Sequence, residues 1–150
     1  MPTIFHQVTN PNELNILSEK QANYENLSFE FSPNYIDKLK AMLGQKHSYQ
    51  LFVNDELGNF MGYIAGAETI FPEHLFISEL FVDPSAQGKG VGSASVNKAI
   101  EFAKRGNLKG VVTETEFENL PAQKLYEKCG FMKIDNSDWK EGVTYQLQFK

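Results

Sequence analysis

Cysteine is nearly absent from the 150 residues: Cys129 stands alone. A lone thiol excludes a disulfide framework and a Cys-rich zinc site, and it suits a reducing cytosol, so a cytoplasmic protein is expected. Histidine is scarce too, and His6, His47 and His74 show no metal-ligand spacing, so no metal is expected. Basic residues are the minority, 14 Lys and Arg against 19 Asp and Glu, and they form no cluster, which argues against DNA or RNA as a partner. The net charge of −5 leaves a mildly acidic surface that would suit cationic substrates, a weak signal by itself. No apolar run approaches the length of a membrane span, so no membrane is expected. The N-terminus has neither the basic stretch nor the apolar stretch of a signal peptide. Repeats, low-complexity tracts and linkers are also missing.

Hydrophobic residues make up 41% of the chain, and twelve Phe with six Tyr argue against disorder. That is enough to build one core, and the length suits one domain over residues 1–150. The element pattern is legible. Residues 3–8 read as a strand, and Asn10-Pro11 as a helix start with Leu14, Leu17 and Ala22 at helical spacing. A second helix starts at Ser32-Pro33, carries Tyr35, Ile36, Leu39 and Leu43, and stops at Gly44. Strands at 49–53 and 60–67 flank a polar hairpin loop. Residues 75–82 are apolar at nearly every position, which predicts a central strand covered on both faces. Val96, Ala99, Ile100 and Ala103 mark one face of a long helix that Gly106 would end in the left-handed conformation. A strand follows at 110–117. Asn119-Leu120-Pro121 then opens a helix whose buried stripe would be Ala122, Leu125, Tyr126 and Cys129, with Gly130 as its stop. A short strand follows at 131–134. Val143, Tyr145, Leu147 and Phe149 alternate with polar residues, as in an antiparallel strand with one wet face. The pattern implies an α/β fold with a mixed sheet and a strand–helix–strand unit in its middle.

Gln87, Gly88, Lys89, Gly90, Val91, Gly92 and Ser93 lie between the central strand and the long helix. Glycines there permit positive φ and close approach to a ligand. Free N–H groups at a helix start suit a phosphate or pyrophosphate. A P-loop is excluded because Gly88-Lys89 is followed by Gly90 rather than Ser or Thr. A dinucleotide fingerprint is excluded because Ser93 stands where its last glycine belongs. The alternative is a flexible turn without a ligand, which three glycines in five residues disfavour.

This loop, following Leu80-Phe81-Val82-Asp83-Pro84, resembles the acetyl-CoA pyrophosphate loop of the GNAT superfamily of N-acetyltransferases. The downstream segment with Asn119, Ala122, Leu125, Tyr126, Glu127, Lys128, Gly130 and Phe131 is similar to that family's second conserved segment. The resemblance is close over about residues 75–131 and looser, in element order, elsewhere. One departure is Gln87, where many members carry Arg.

The resemblance implies a mostly antiparallel twisted sheet flanked by helices, in which the two central strands splay apart. It implies acetyl-CoA as co-substrate, with the pantetheine arm on the backbone of Leu80, Phe81 and Val82 and the pyrophosphate on the backbone of Gln87, Gly88, Lys89, Gly90, Val91, Gly92 and Ser93. A main-chain N–H of the strand would polarise the thioester carbonyl and stabilise the oxyanion. The side chains of Leu80 and Val82 are expected to pack. Asn119 would cap its helix and also touch the cofactor arm. Tyr126 matches the usual general acid, and a phenol is protonated at neutral pH; the alternative is packing alone.

Glu79 is unusual on physical grounds. A carboxylate inside an apolar strand costs free energy unless it is paired or reaches water. In the family an acidic residue near this point binds or deprotonates the acceptor, so Glu79 is the candidate base; the alternative is a solvated strand end. Glu114 and Glu116 are weaker candidates, read as a solvated strand end. Cys129 falls on the apolar stripe and reads as a small hydrophobe rather than a nucleophile. Tyr24, Phe29, Phe71 and Trp139 are candidates for the acceptor cleft, or else packing.

The expected activity is direct transfer of an acetyl group, in a ternary complex, to a small-molecule primary amine such as a polyamine or amino acid. A protein or peptide amine is the alternative acceptor, and a non-catalytic acyl-CoA sensor the alternative function. The oligomeric state stays open, a homodimer being one option.

Overall fold

The computed structural model describes residues 3–21, 33–43, 48–68, 73–134 and 142–150. Its strands are β1 (Ile4–Gln7), β2 (Tyr49–Asn54), β3 (Phe60–Ala67), β4 (His74–Val82), β5 (Gly110–Glu116), β6 (Met132–Ile134) and β7 (Gly142–Gln148). Its helices are α1 (Ile16–Gln21), α2 (Pro33–Met42), α3 (Val91–Arg105) and α4 (Leu120–Lys128). The helix start expected at Asn10-Pro11 is a 3-10 turn, Pro11–Asn15, that leads into α1; the Asn10 side chain accepts from Asn12 N–H. Ala22, Gly44 and the four candidate cleft aromatics Tyr24, Phe29, Phe71 and Trp139 lie outside the described residues.

One seven-stranded sheet runs in the order β1-β2-β3-β4-β5-β7-β6. Every pairing is antiparallel except β4 with β5. A parallel pair needs a crossover, and α3 supplies it. The polar β2–β3 loop is held by Asp55, whose Oδ1 accepts from Leu57 N–H at 2.9 Å and Asn59 N–H at 2.8 Å.

The core has two sides. On one, Val96, Ala99 and Ala103 of α3 cover Leu75, Ile77, Val111 and Tyr145, as the helical spacing predicts. On the other, Leu14, Leu17, Ile36 and Leu39 cover Phe52, Tyr63 and Phe81. The buried Gln50 amide donates to Leu39 O at 2.8 Å and accepts from the Tyr63 hydroxyl at 2.6 Å, so this polar pair is satisfied inside the core.

Several expectations need correction. Gly106 ends α3 at φ −81°, and Asn107, at φ 59°, takes the left-handed position. Asn tolerates that conformation through its short polar side chain. The apolar run of β4 is not covered on both faces: Leu75, Ile77 and Phe81 are buried, but Ser78 is exposed and Glu79, Leu80 and Val82 are half-buried. The cause is the loss of β5 as a neighbour beyond Ile77. The polar face of β7 is not wet at Thr144, which is 2% exposed. On α4 only Tyr126 is buried; Ala122, Leu125 and Cys129 are half-buried, the first two because that side of the helix borders open grooves.

Candidate active site

The parallel pairing of β4 and β5 stops at Ile77 opposite Thr113. β4 stays paired with β3 as far as Val82 opposite Gly62, and β5 stays paired with β7 as far as Glu116 opposite Gly142. The facing edges of 78–82 and 114–116 therefore part. A bulge marks the fork: Ile77 pairs with Gly66 and Glu79 with Ala65, so Ser78 is the surplus residue. The gap is a cleft of 190 Å³ bordered by Ser78, Glu79, Leu80, Glu114, Glu116 and Tyr126, among others. Unpaired strand edges inside a fold can receive an extended ligand as if it were an added strand.

Tyr126 closes the apex. Its side chain is 4% exposed, with its ring centroid 5.6 Å from that of Phe131 and 6.0 Å from that of Tyr145. Burial raises the phenol pKa above its ordinary value, and a hydrogen bond with Thr113 pulls less strongly the other way. Thr113 itself donates to Ile77 O at 3.0 Å, which ties together the last paired residues of both strands beside the phenol. The phenol is thus held protonated at neutral pH.

Local sequence fixes the helix that carries it. Asn119 accepts from Ala122 N–H at 3.2 Å, which is the expected cap, and Pro121 sits in the first turn. Gln123 donates to Glu116 O at 3.2 Å and Phe117 O at 2.9 Å, tying α4 to the end of β5. Gly130, at φ 96°, ends the helix as expected.

Glu79 and Glu114 are half-buried and Glu116 is exposed, and all three line the cleft. Glu114 and Glu116 are thus brought to the same opening as Glu79. Among the described residues that line it there is no Lys or Arg.

Leu80 and Ala122 also border a second, larger groove of 580 Å³, so the two spaces share that wall. This groove lies along the glycine loop. Asp83 is 4% exposed and caps a 3-10 turn, Pro84–Ala86, by accepting from Ser85 N–H at 3.2 Å and from the Ser85 hydroxyl. Gly88 and Gly90 have φ of 79° and 80°, and nothing lies within 4 Å of where a Cβ would stand on either. Gly90 precedes α3 with no side-chain cap and no acidic residue in the first turn. The first N–H bonded back into the helix is that of Ala94, to Gly90 O, so those of Val91, Gly92 and Ser93 lie ahead of the ladder. Gly92 serves a different purpose: a Cβ there would come within 3.1 Å of Leu125, so the glycine lets α3 and α4 close up.

Leu80 and Val82 pack only in part, against the core under α3, and otherwise face the open spaces. Cys129 is half-buried, borders neither space, and burial pushes its thiol pKa up. No group of three metal-binding side chains occurs among the described residues. No helix among them is long and apolar enough to cross a membrane. Sequence reasoning missed Thr113, Gln123 and Lys124, and took Lys128 only as part of the family-like segment. The β-propensity of Thr113 concealed its polar role, and the others look like ordinary surface residues of a helix until its neighbours are known.

The acetyltransferase (GNAT) family matches residues 16–131. Among relatives, the uncharacterized N-acetyltransferase YhfO of Bacillus subtilis is 31% identical over 97 residues, 62% of this chain and 64% of that protein. MJ1207 of Methanocaldococcus jannaschii, also an uncharacterized N-acetyltransferase, is 44% identical over 55 residues, 37% of this chain and 24% of that protein. The chain thus spans less than two thirds of either relative. Spermidine N-acetyltransferase SpeG of Vibrio cholerae has the same fold, with a TM-score of 0.74 at 18% identity, over 97% of this chain and 93% of that one. With a forked sheet, an uncapped glycine-led helix and a family match over most of its length, this chain belongs to the GNAT acetyltransferases.

Proposed function

We propose that this protein is an acetyl-CoA-dependent N-acetyltransferase acting on a small cationic primary amine. The observation that carries the reading is the single cleft between β4 and β5, with a buried protonated phenol at its apex and carboxylates at its mouth. The residues fit the co-substrate. The open space around Gly88 and Gly90 and the free N–H groups at the start of α3 suit its pyrophosphate. The inner edge of Leu80, Phe81 and Val82 suits the amide-bearing arm, with the Asn119 side chain beside it. When bound, acetyl-CoA supplies the acetyl group as a thioester.

Each residue then has one task. The Glu79 carboxylate holds the incoming ammonium and takes its proton, directly or through a water. A main-chain N–H of 80–82 donates to the carbonyl oxygen as negative charge grows there. The Tyr126 O–H gives its proton to the departing sulfur, a role that needs a phenol still protonated at working pH. The two spaces share Leu80 and Ala122 as a wall, so a donor in one and an acceptor in the other lie side by side and direct transfer needs no acyl-enzyme. Cys129, outside the cleft with its thiol pKa raised, is a poor nucleophile for one. Three carboxylates on the lining favour a cationic acceptor over an acidic one.

Thiol release from acetyl-CoA, measured across a panel of polyamines, amino acids and peptides, tests the reading. Polyamines and other small cationic amines should turn over fastest and aspartate least. Turnover of peptides alone would make this a protein acetyltransferase. Tight acetyl-CoA binding without turnover of any amine would make it a sensor.

A further inference from the structure

Lys124 and Lys128 stand one turn apart on α4, so their side chains share one face of the helix. Both line the groove across from the glycine loop, with Leu125 between them. Their neighbours turn elsewhere: Gln123 reaches the end of β5, and a Glu127 carboxylate oxygen lies 3.5 Å from the Tyr145 hydroxyl. Among the described residues neither lysine has a carboxylate within ion-pair distance, and no Asp or Glu lines this groove. Like charges at this spacing repel mildly, and an anion seated between them removes the penalty.

The anion can be specified. The loop meets a diphosphate with backbone N–H groups and the positive end of α3, which requires no side-chain cation. Coenzyme A carries one more phosphate, a monoester on its ribose, which is close to doubly charged at neutral pH. The groove, at 580 Å³, is roomy enough for the nucleotide portion. We propose that Lys124 and Lys128 bind this 3′-phosphate and so make the protein select coenzyme A over 3′-dephospho-coenzyme A. The inference rests on the acetyl-CoA reading above.

Calorimetric titration with the two coenzymes tests it in the wild type, in the Lys124→Gln/Lys128→Gln double variant and in the Lys124→Arg/Lys128→Arg double variant. The wild type should prefer coenzyme A about tenfold, the order expected of two exposed charge-assisted contacts. The preference should shrink as salt rises from about 0.05 M to about 0.5 M, because these charges are open to screening. The Gln variant should bind both forms alike, at the wild-type affinity for the dephospho form, which also reports that it is folded. The Arg variant should keep the preference. Equal wild-type affinities, or a preference intact in the Gln variant, would overturn the assignment. An equal loss on both coenzymes would overturn it too, by placing the lysines on the diphosphate. Wild-type protein that binds neither form would instead sink the acetyl-CoA reading itself.

Discussion

The two openings of the forked sheet differ in charge although they share Leu80 and Ala122 as a wall. One is lined by Lys124, Lys128 and the uncapped start of α3, and no carboxylate borders it among the described residues. The other is lined by Glu79, Glu114 and Glu116, and no cation borders it among the described residues. The net charge of −5 hides this division, because the two sets partly cancel in the sum. The division suits a reaction between an anionic donor and a cationic acceptor, since neither substrate competes for the other's ions. Tyr126 lies at the apex and belongs to neither set, so the three parts can be broken separately.

Breaking the apex should cost most. Tyr126→Phe keeps the packing against Phe131 and Tyr145 and removes the donor. If the phenol is the acid, kcat falls about 10²–10⁴-fold while acetyl-CoA affinity barely moves. The active form is the protonated one, and burial raises its pKa. The alkaline loss of wild-type activity due to this group should therefore lie above the ordinary phenol value of about 10. A drop in kcat of less than roughly threefold, with chemistry rate-limiting, would assign Tyr126 to packing alone.

A crossed pair of variants tests the two openings. Glu79→Gln should raise the amine KM or lower kcat about tenfold and move the optimum to higher pH, where more amine is already deprotonated. Its acetyl-CoA affinity should hold. Gly90→Glu should do the reverse. It adds a negative charge at the start of α3 and a side chain at φ 80°, and acetyl-CoA affinity should fall about tenfold or more. Steady-state kinetics with calorimetry would refute the division if either variant impaired both substrates alike.

The smallest effect is expected at Asn119. Asn119→Ala removes the cap on Ala122 N–H and should lower stability in a urea titration by about 1 kcal/mol. Asn119→Ser should recover most of it. Unchanged stability in the Ala variant would mean that another group already satisfies that N–H.

Much of this was legible in the residues. The α3 stripe, the Asn119 cap, the Gly130 stop and the positive φ at Gly90 each follow from local chemistry, and the structure has all four. The fork itself was not legible, for a physical reason. A strand whose apolar residues border an open groove looks the same in sequence as one whose apolar residues meet protein. Leu80 and Val82 therefore read as core although they are half-buried. The lysines of α4 were invisible for the opposite reason, since a cation facing a groove and one facing bulk water have identical local signatures. Gly106 shows a third limit: a helix can stop with its left-handed residue one place later, at Asn107, when that residue also tolerates the conformation.

The surplus residue at Ser78 acts as a phase shift in the side-chain alternation of β4. Ile77 and Leu80, three apart, join the same core cluster under α3, while Glu79 pairs across to Ala65, which belongs to the opposite cluster. Strict two-residue parity from Ile77 would have sent the Glu79 carboxylate beneath α3, among Val96 and Ala99. An unpaired carboxylate there would be forced to take up a proton or to unravel the strand. One extra residue thus reverses the side-chain alternation of β4 at the fork and moves its acid from the face under α3 to the opposite face of the sheet.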